Sequence, residues 1–386
     1  ARAAAWAPVP ALAAVVVVDE HEQAHQEGSA PTWHARDVAA ERARRAGVPC
    51  VVTSPCPSLE ALAWGELLVP SRSVERAGWP AVDVVDRRRE DPARADLCPP
   101  RLVDLIRRTV GPADPGARSP QVVCVLNRRG RARLLACAAC GELARCEACG
   151  AAVGSKEEED SLACPGCGVE RPGVCQACGA GRLKVLRAGV SRVREDLQRL
   201  IGVPVGQLTG ERRASDAVPE TPVVVGTEAV LRRVAAARVV AFLDLDAELL
   251  APRYRAAEQA MALVVRAARM VGGKSSGGRL VLQTRLPDHE VVRAALHADP
   301  GRVAAAETER RRALRFPPAT ALAHVSGAPA PDFLAQVRGQ PGVEVLGPAG
   351  GTWLVRAPDH RTLCDALAAV PRPPGRLRVA VDPPRL

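Results

Sequence analysis

Four Cys-x-x-Cys pairs lie between positions 137 and 178: Cys137/Cys140, Cys146/Cys149, Cys164/Cys167 and Cys175/Cys178. Such a turn points two thiolates at one metal, and two turns complete a tetrahedral four-sulfur site. Eight ligands therefore make two sites, and this stretch is constrained to a metal-closed ribbon. A glycine follows the second cysteine of every pair (Gly141, Gly150, Gly168, Gly179), which suits the tight backbone turn. The four pairs can be combined in three ways, and a nested arrangement is favoured. Cys146, Cys149, Cys164 and Cys167 close a local hairpin across a 14-residue spacer. That hairpin brings Cys137, Cys140, Cys175 and Cys178 together as an outer set. No His or carboxylate replaces a thiolate, so the sites read as two structural Zn²⁺ rather than a catalytic metal. The other five cysteines (Cys50, Cys56, Cys98, Cys124, Cys364) are scattered singly and read as small hydrophobes. Without an export signal, a reducing cytosol is the expected compartment.

A length of 386 residues implies two or three domains. At 47% hydrophobic and 25% charged, the chain is ordinary globular material, not a disordered, collagen-like or membrane-bundle sequence. With 5 Trp, 3 Phe and 1 Tyr, the core must be built from Ala, Val and Leu. Aromatic base-stacking platforms are thereby excluded as the main recognition device. The net charge of +10 is carried by arginine, because Lys156, Lys184 and Lys274 are the only lysines. It favours an anionic partner. Two segments concentrate it: 101–145, with nine Arg against three acids, and 253–279, with six basic residues against one acid. Arginines around Asn127-Arg128-Arg129-Gly130 suit phosphate contact.

The chain starts at Ala1 rather than Met and reads as a fragment or processed product. Residues 3–18 superficially resemble a signal peptide, but Pro8 and Pro10 interrupt the apolar run and acidic residues follow. The same prolines, and the short run, argue against a membrane span. A loop and then a buried parallel strand at 13–18 is the better reading. Helices are expected at 35–46, 58–69, 100–110, 193–200 and 255–270, with strands at 48–52, 122–126, 223–225, 239–244 and 280–283. Residues 76–120 are otherwise rich in Arg, Pro and Asp and include an exposed linker. Strands alternating with helices argue for a parallel sheet. From about 318 a smaller α/β unit follows, with strands near 321–325, 343–346 and 353–355 and a helix at 361–369. One segment, 268–275, fits a loosened phosphate-loop pattern ending Gly272-Gly273-Lys274-Ser275. It ends a helix and leads into a strand, the reverse of the order that lets backbone N–H groups cradle phosphate.

Taken in order, the motifs resemble those of the PriA family of primosomal replication-restart helicases. The knuckle spacing, and its place inside a second helicase lobe, is the most specific match, and the nested pairing agrees with that family. Asp19-Glu20-His21-Glu22 resembles the family's DEEH box, His34-Ala35-Arg36-Asp37 its HARD-like helix, and Ser54-Pro55-Cys56-Pro57-Ser58-Leu59-Glu60 its SATPSLE motif. Leu126-Asn127-Arg128-Arg129-Gly130 matches LNRRG, Gly226-Thr227-Glu228 resembles GTQ, and Asp244-Leu245-Asp246 resembles DVD. Glu309-Arg310-Arg311 and Phe316-Pro317-Pro318 resemble the ER and YPP segments before the C-terminal domain.

The departures fall on ATPase parts. No Walker A stands upstream of Asp19 within this chain, Pro55 and Cys56 replace Ala and Thr, and Arg232-Arg233 stand where a Lys-Gly pair is usual. The Q-V-A-G-R-A-G-R box keeps its first arginine, Arg269, and loses its Gln and second arginine. An ATP-driven helicase needs all these parts to place phosphate, Mg²⁺ and transition-state charge. Asp19 and Glu20 therefore read as relic Walker B residues, with no catalytic residue expected and ATP/Mg²⁺ doubtful. By resemblance, Arg128, Arg129 and Arg269 lie in the cleft or along the DNA track. The partners implied are forked and single-stranded DNA, primosome proteins and single-stranded-DNA-binding protein, in a cytoplasmic, nucleoid-associated setting without membrane.

The expected fold is α/β. Residues 1–115 are a partial first RecA-like helicase lobe and linker, and 116–317 a complete second lobe with a two-zinc insert at 136–182. Residues 318–386 form a small α/β domain. The expected function is fork binding and reloading of the replicative helicase without ATP-driven unwinding. The alternatives are an active ATP-dependent 3′–5′ DNA helicase whose Walker A lies upstream, and a zinc-ribbon protein-docking adaptor.

Overall fold

The computed structural model describes residues 2–29, 32–89, 97–111, 121–126, 135–155, 161–165, 167–185, 190–210 and 217–383. The chain divides into two compact units, Val69–Pro300 and a second made of Ala1–Leu68 with Gly301–Leu386.

Val69–Pro300 is built on six parallel strands in the order Val205–Leu208, Val223–Gly226, Val122–Val125, Val239–Phe242, Arg279–Thr284 and Ala81–Asp86. Parallel sheets need both faces covered, so their strands read as continuous β-branched runs. The central VVCV, VVVG and VVAF segments fit that rule, every residue being buried. On one face Val122, Cys124, Val223, Val225, Val239 and Ala241 pack with Leu102 and Ile106 of helix Pro100–Val110 and with Val193 and Leu197 of helix Val190–Ile201. The long helix Ala256–Val271 lies along strands Val239–Phe242 and Arg279–Thr284. Such a sheet fits a RecA-like lobe.

Within 76–120, Ala81–Asp86 is a strand that the sequence reading did not place. It pairs with Arg279–Thr284 along its full length and forms an edge of the sheet. Asp83 and Asp86 hid it, because an edge strand tolerates polar residues that a central strand does not. Arg279 Nη1 donates to Asp83 Oδ2 at 2.7 Å across that edge.

In the other unit, Val15–Val18 pairs in parallel with Cys50–Thr53, and helix Ala35–Ala46 supplies the crossover that a parallel pair requires. The helix begins where His34 Nδ1 accepts the N–H of Arg36 and ends at Gly47, whose φ of 65° reverses the chain. Helix Leu59–Trp64 is capped by Ser58, whose hydroxyl accepts the N–H of Ala61 at 3.2 Å. After helix Gly301–Leu314, residues 321–381 run strand–helix–strand–strand–helix–strand. Their sheet order is Glu344–Ala349, Thr352–Ala357, Ala321–Ser326, Arg378–Val381, antiparallel throughout. That is the split βαβ arrangement. Its core joins Ala321, Ala323, Val325 and Val355 to Phe333, Leu334, Val337 and Leu363 of the two helices. Among the described residues, no helix is long and apolar enough to cross a membrane.

Candidate metal centres

The eight knuckle cysteines gather as two sets, Cys137/Cys140/Cys175/Cys178 and Cys146/Cys149/Cys164/Cys167, with all sulfurs of a set within 4.8 Å of one another. Nearest sulfurs are 3.6 Å apart in the outer set (Cys137–Cys178, Cys140–Cys175) and 3.4 Å in the inner (Cys146–Cys167, Cys149–Cys164). A tetrahedron with metal–sulfur bonds of about 2.3 Å has edges of about 3.8 Å. Disulfide sulfurs would sit at about 2.0 Å, so the spacing fits metal coordination and excludes disulfides. All four sulfurs of each set therefore fit a tetrahedral ion.

Local sequence builds each knuckle the same way. The N–H of the following glycine donates to the carbonyl of the first cysteine: Gly141 to Cys137, Gly150 to Cys146, Gly168 to Cys164 and Gly179 to Cys175. These glycines have φ between 72° and 76°, where a side chain would be strained. The first cysteine of every pair is buried and the second exposed. Burial raises the Cys137 thiol, but the N–H groups of Cys140 and Ala139 more than offset it and bring it down to about 7, whereas at Cys140 the N–H of Glu142 lowers the thiol but burial and the neighbouring thiols raise it more, to about 12. Cys146 reaches about 7 by the same opposition. The inner set shares a small core of Leu135, Ala144, Val153 and Leu162, too little apolar material to hold a fold without metal.

The Asp19–Glu22 box follows strand Val15–Val18. Asp19 takes a φ of 53°, and the next residue, Glu20, is completely buried. Arg36 Nη1 donates to Glu20 Oε2 at 3.0 Å, the Ser58 N–H to Oε1 at 2.7 Å, and the Ser58 hydroxyl to Oε2 at 2.8 Å. Both oxygens of Glu20 are thus committed to neighbours. His21 Nδ1 lies 2.8 Å from Ser54 Oγ, which also accepts the N–H of Cys56. The DEEH, HARD and SATPSLE segments consequently meet at one point. In the same unit Arg311 Nη1 lies 3.6 Å from Glu60 Oε1 and donates to the Pro317 carbonyl at 3.0 Å, while Nε is 3.4 Å from Glu307.

In the larger unit Asp246 is buried and accepts the Thr284 hydroxyl and the N–H of Arg285. Burial first, then the charge of Asp244, push its carboxyl up to about 7. Arg269 is exposed in the last turn of helix Ala256–Val271. Arg128 and Arg129 lie outside the described residues. Lys274 follows that helix, its N–H donating to the Trp79 carbonyl at 3.1 Å, and the segment runs into strand Arg279–Thr284 rather than opening a phosphate-binding helix.

No family model matches the chain. It is 30% identical over 339 residues to the replication restart protein PriA of Treponema pallidum, covering 82% of this chain and 50% of that protein. The PriA of Bacillus subtilis is 26% identical over 348 residues (84% and 42% covered), and that of Thermotoga maritima 28% over 346 (84% and 45%). The chain is PriA-like. It spans about half the length of the curated relatives it matches.

In this PriA-like chain, reading the sequence alone did not single out Arg36, Ser58, Glu60, Arg311, Asp246 or Arg285 as site residues. Arg36, Ser58, Glu60, Asp246 and Arg311 stood inside quoted motifs, which was the available signal. Arg285 carried none, because its partner Gly141 is 144 positions away.

Proposed function

We propose that this PriA-like chain is a replication-restart protein that binds stalled replication forks and helps reload the replicative helicase, without ATP-driven unwinding. The observation that carries the reading is the contrast between the two motif groups. Both four-sulfur sets are complete and geometrically fit for metal, whereas both carboxylate oxygens of Glu20 are taken up by Arg36 and Ser58. The name shared by the relatives supports the restart role.

In this reading both metals are Zn²⁺, held by the outer and inner cysteine sets as structural ions that fix the insert. Arg128, Arg129 and Arg269 contact DNA phosphates on forked and single-stranded DNA. Primosome proteins and single-stranded-DNA-binding protein are the protein partners, in the nucleoid-associated cytoplasm. Residues 1–115 correspond to part of lobe one with its linker, 116–317 to lobe two and 318–386 to the C-terminal domain; strand Ala81–Asp86 argues for moving the start of lobe two before it.

Fork binding measured across salt concentration tests the reading. Arg128→Ala/Arg129→Ala should weaken binding and reduce its salt dependence. Unchanged binding would remove the DNA-contact assignment and favour a protein-docking adaptor. ATP turnover stimulated by forked DNA and abolished by Glu20→Gln would instead establish an active helicase. Metal analysis should return two zinc ions per chain.

A further inference from the structure

Arg285 directly follows strand Arg279–Thr284 and is 4% exposed. Its backbone N–H donates to Asp246 Oδ2 at 2.8 Å, and its Nη1 donates to the Gly141 carbonyl at 2.9 Å. Gly141 is the residue after Cys140, and its own N–H closes the outer-set turn on the Cys137 carbonyl at 3.0 Å. One side chain therefore links the end of the six-stranded sheet to a knuckle of the outer cysteine set. Beside this link, Ala136, Leu143 and Ala152 of the insert pack on Leu250, flanked by Ala247 and Leu286. The Ala152 N–H donates to the Leu250 carbonyl at 3.2 Å.

We infer that Arg285 is a positioning residue that docks the cysteine-rich insert on the sheet, and that the outer metal site controls this docking. A guanidinium this buried needs acceptors, and the Gly141 carbonyl is one that the insert supplies. That carbonyl is presented at a fixed place because Cys137 and Cys140 on either side of the turn grip one ion. Loss of the outer metal frees the turn and takes the acceptor from Arg285. The apolar contact that remains is four small-to-medium side chains, too little to hold the insert in one orientation. The inner set closes its hairpin separately, so its loss loosens the pairing of Gly154–Ser155 with Leu162–Ala163 while the Gly141–Arg285 link stays. Strand Val122–Val125 belongs to the same sheet, so the docked insert is fixed relative to the end of that strand.

The inference rests on the two sets holding metal and not on fork binding, so it is read without DNA. Hydrogen exchange and metal analysis on the full chain test it. Arg285→Ala should retain two metal ions, yet lose roughly tenfold or more of the protection at Ala152 and across 247–251. Protection at Val122–Val125 and Val239–Phe242 should be unchanged. Arg285→Lys, which keeps one buried donor, should recover part of the loss. On the unaltered chain, Cys140→Ser should loosen the amides of Arg285 and Leu286, and Cys149→Ser should not. Unchanged protection at Ala152 in Arg285→Ala with both metals present would overturn the inference. So would equal loosening at Arg285 and Leu286 by the two cysteine variants.

Discussion

Arg36 and Glu20 meet at 3.0 Å in a place where neither is open to water, which makes the second carboxylate of the Asp19–Glu22 box an internal counterion. Removing one partner of such a pair leaves an uncompensated buried charge. Arg36→Ala should therefore cost about 3–5 kcal/mol of stability. Glu20→Gln should cost less, about 1–3 kcal/mol, because the Ser58 N–H keeps an acceptor. Urea unfolding of both variants decides it; equal losses would mean that the pair is not the dominant interaction.

Arg311 carries the ionic contact between helices Gly301–Leu314 and Leu59–Trp64. Its side chain is 2% exposed and that of its partner Glu60 11%. A double-mutant cycle with Glu60→Ala and Arg311→Ala should give a coupling of about 0.5–3 kcal/mol. Additive losses would show that Arg311 acts through Glu307 and the Pro317 carbonyl alone.

Gly226 ends strand Val223–Gly226 where a Cβ would collide with the Leu208 carbonyl oxygen and with Val230. Backbone cannot move aside as a side chain can, so Gly226→Ala should destabilise the sheet by about 1–3 kcal/mol. Thermal unfolding with and without the substitution measures it, and an unchanged midpoint would contradict the close approach.

Asp246 gives the larger unit a pH signature. Burial and the Asp244 charge hold its carboxyl near 7 against an ordinary 3.8. Between those values the folded state binds a proton that the unfolded chain has released, so stability falls as pH rises through that window and then levels. Asp246→Asn should flatten the slope. A slope that survives the substitution must come from other groups.

His360 acts in the same direction over a higher range. A hydrogen bond to Asp382 raises it above 6.5, burial opposes that, and Asp382, Asp37 and Glu60 add favourable charge. The folded state therefore prefers protonated His360. Its contribution is full below 6.5 and is lost as pH rises through the raised value. The imidazole is 56% exposed, so the effect should stay below about 1 kcal/mol. Asp382→Asn should abolish it, as followed by the histidine's own proton titration.

Two helices were legible at their observed bounds because the sequence carries their stop signals, whereas Leu59–Trp64 was read too long, as 58–69, and Arg72–Ala77 was not placed. Helix Ala35–Ala46 stops at Gly47, and helix Pro100–Val110 starts on proline and stops at Gly111. Helix Gly301–Leu314 was not legible, because its buried face is ionic: Val303, Glu307 and Arg311 are its buried residues, and no apolar stripe marks them. Strand Val205–Leu208 was missed because Gly206 and Gln207 interrupt its apolar run. Both four-cysteine sets could be read in full, since ligand type and spacing are chemical requirements written locally in the chain.

By itself the sequence determined the four cysteine knuckles and favoured their nested pairing, and it carried the alternation of strands and helices and the motifs that mark the chain as PriA-like. Tertiary structure decided the partners of Glu20 and Arg311, the place of Ala81–Asp86 in the sheet and the link from Arg285 to Gly141. The physical reason is separation along the chain. A knuckle is closed by hydrogen bonds within a few residues, whereas Arg285 and Gly141 are 144 positions apart and meet only once the sheet has formed.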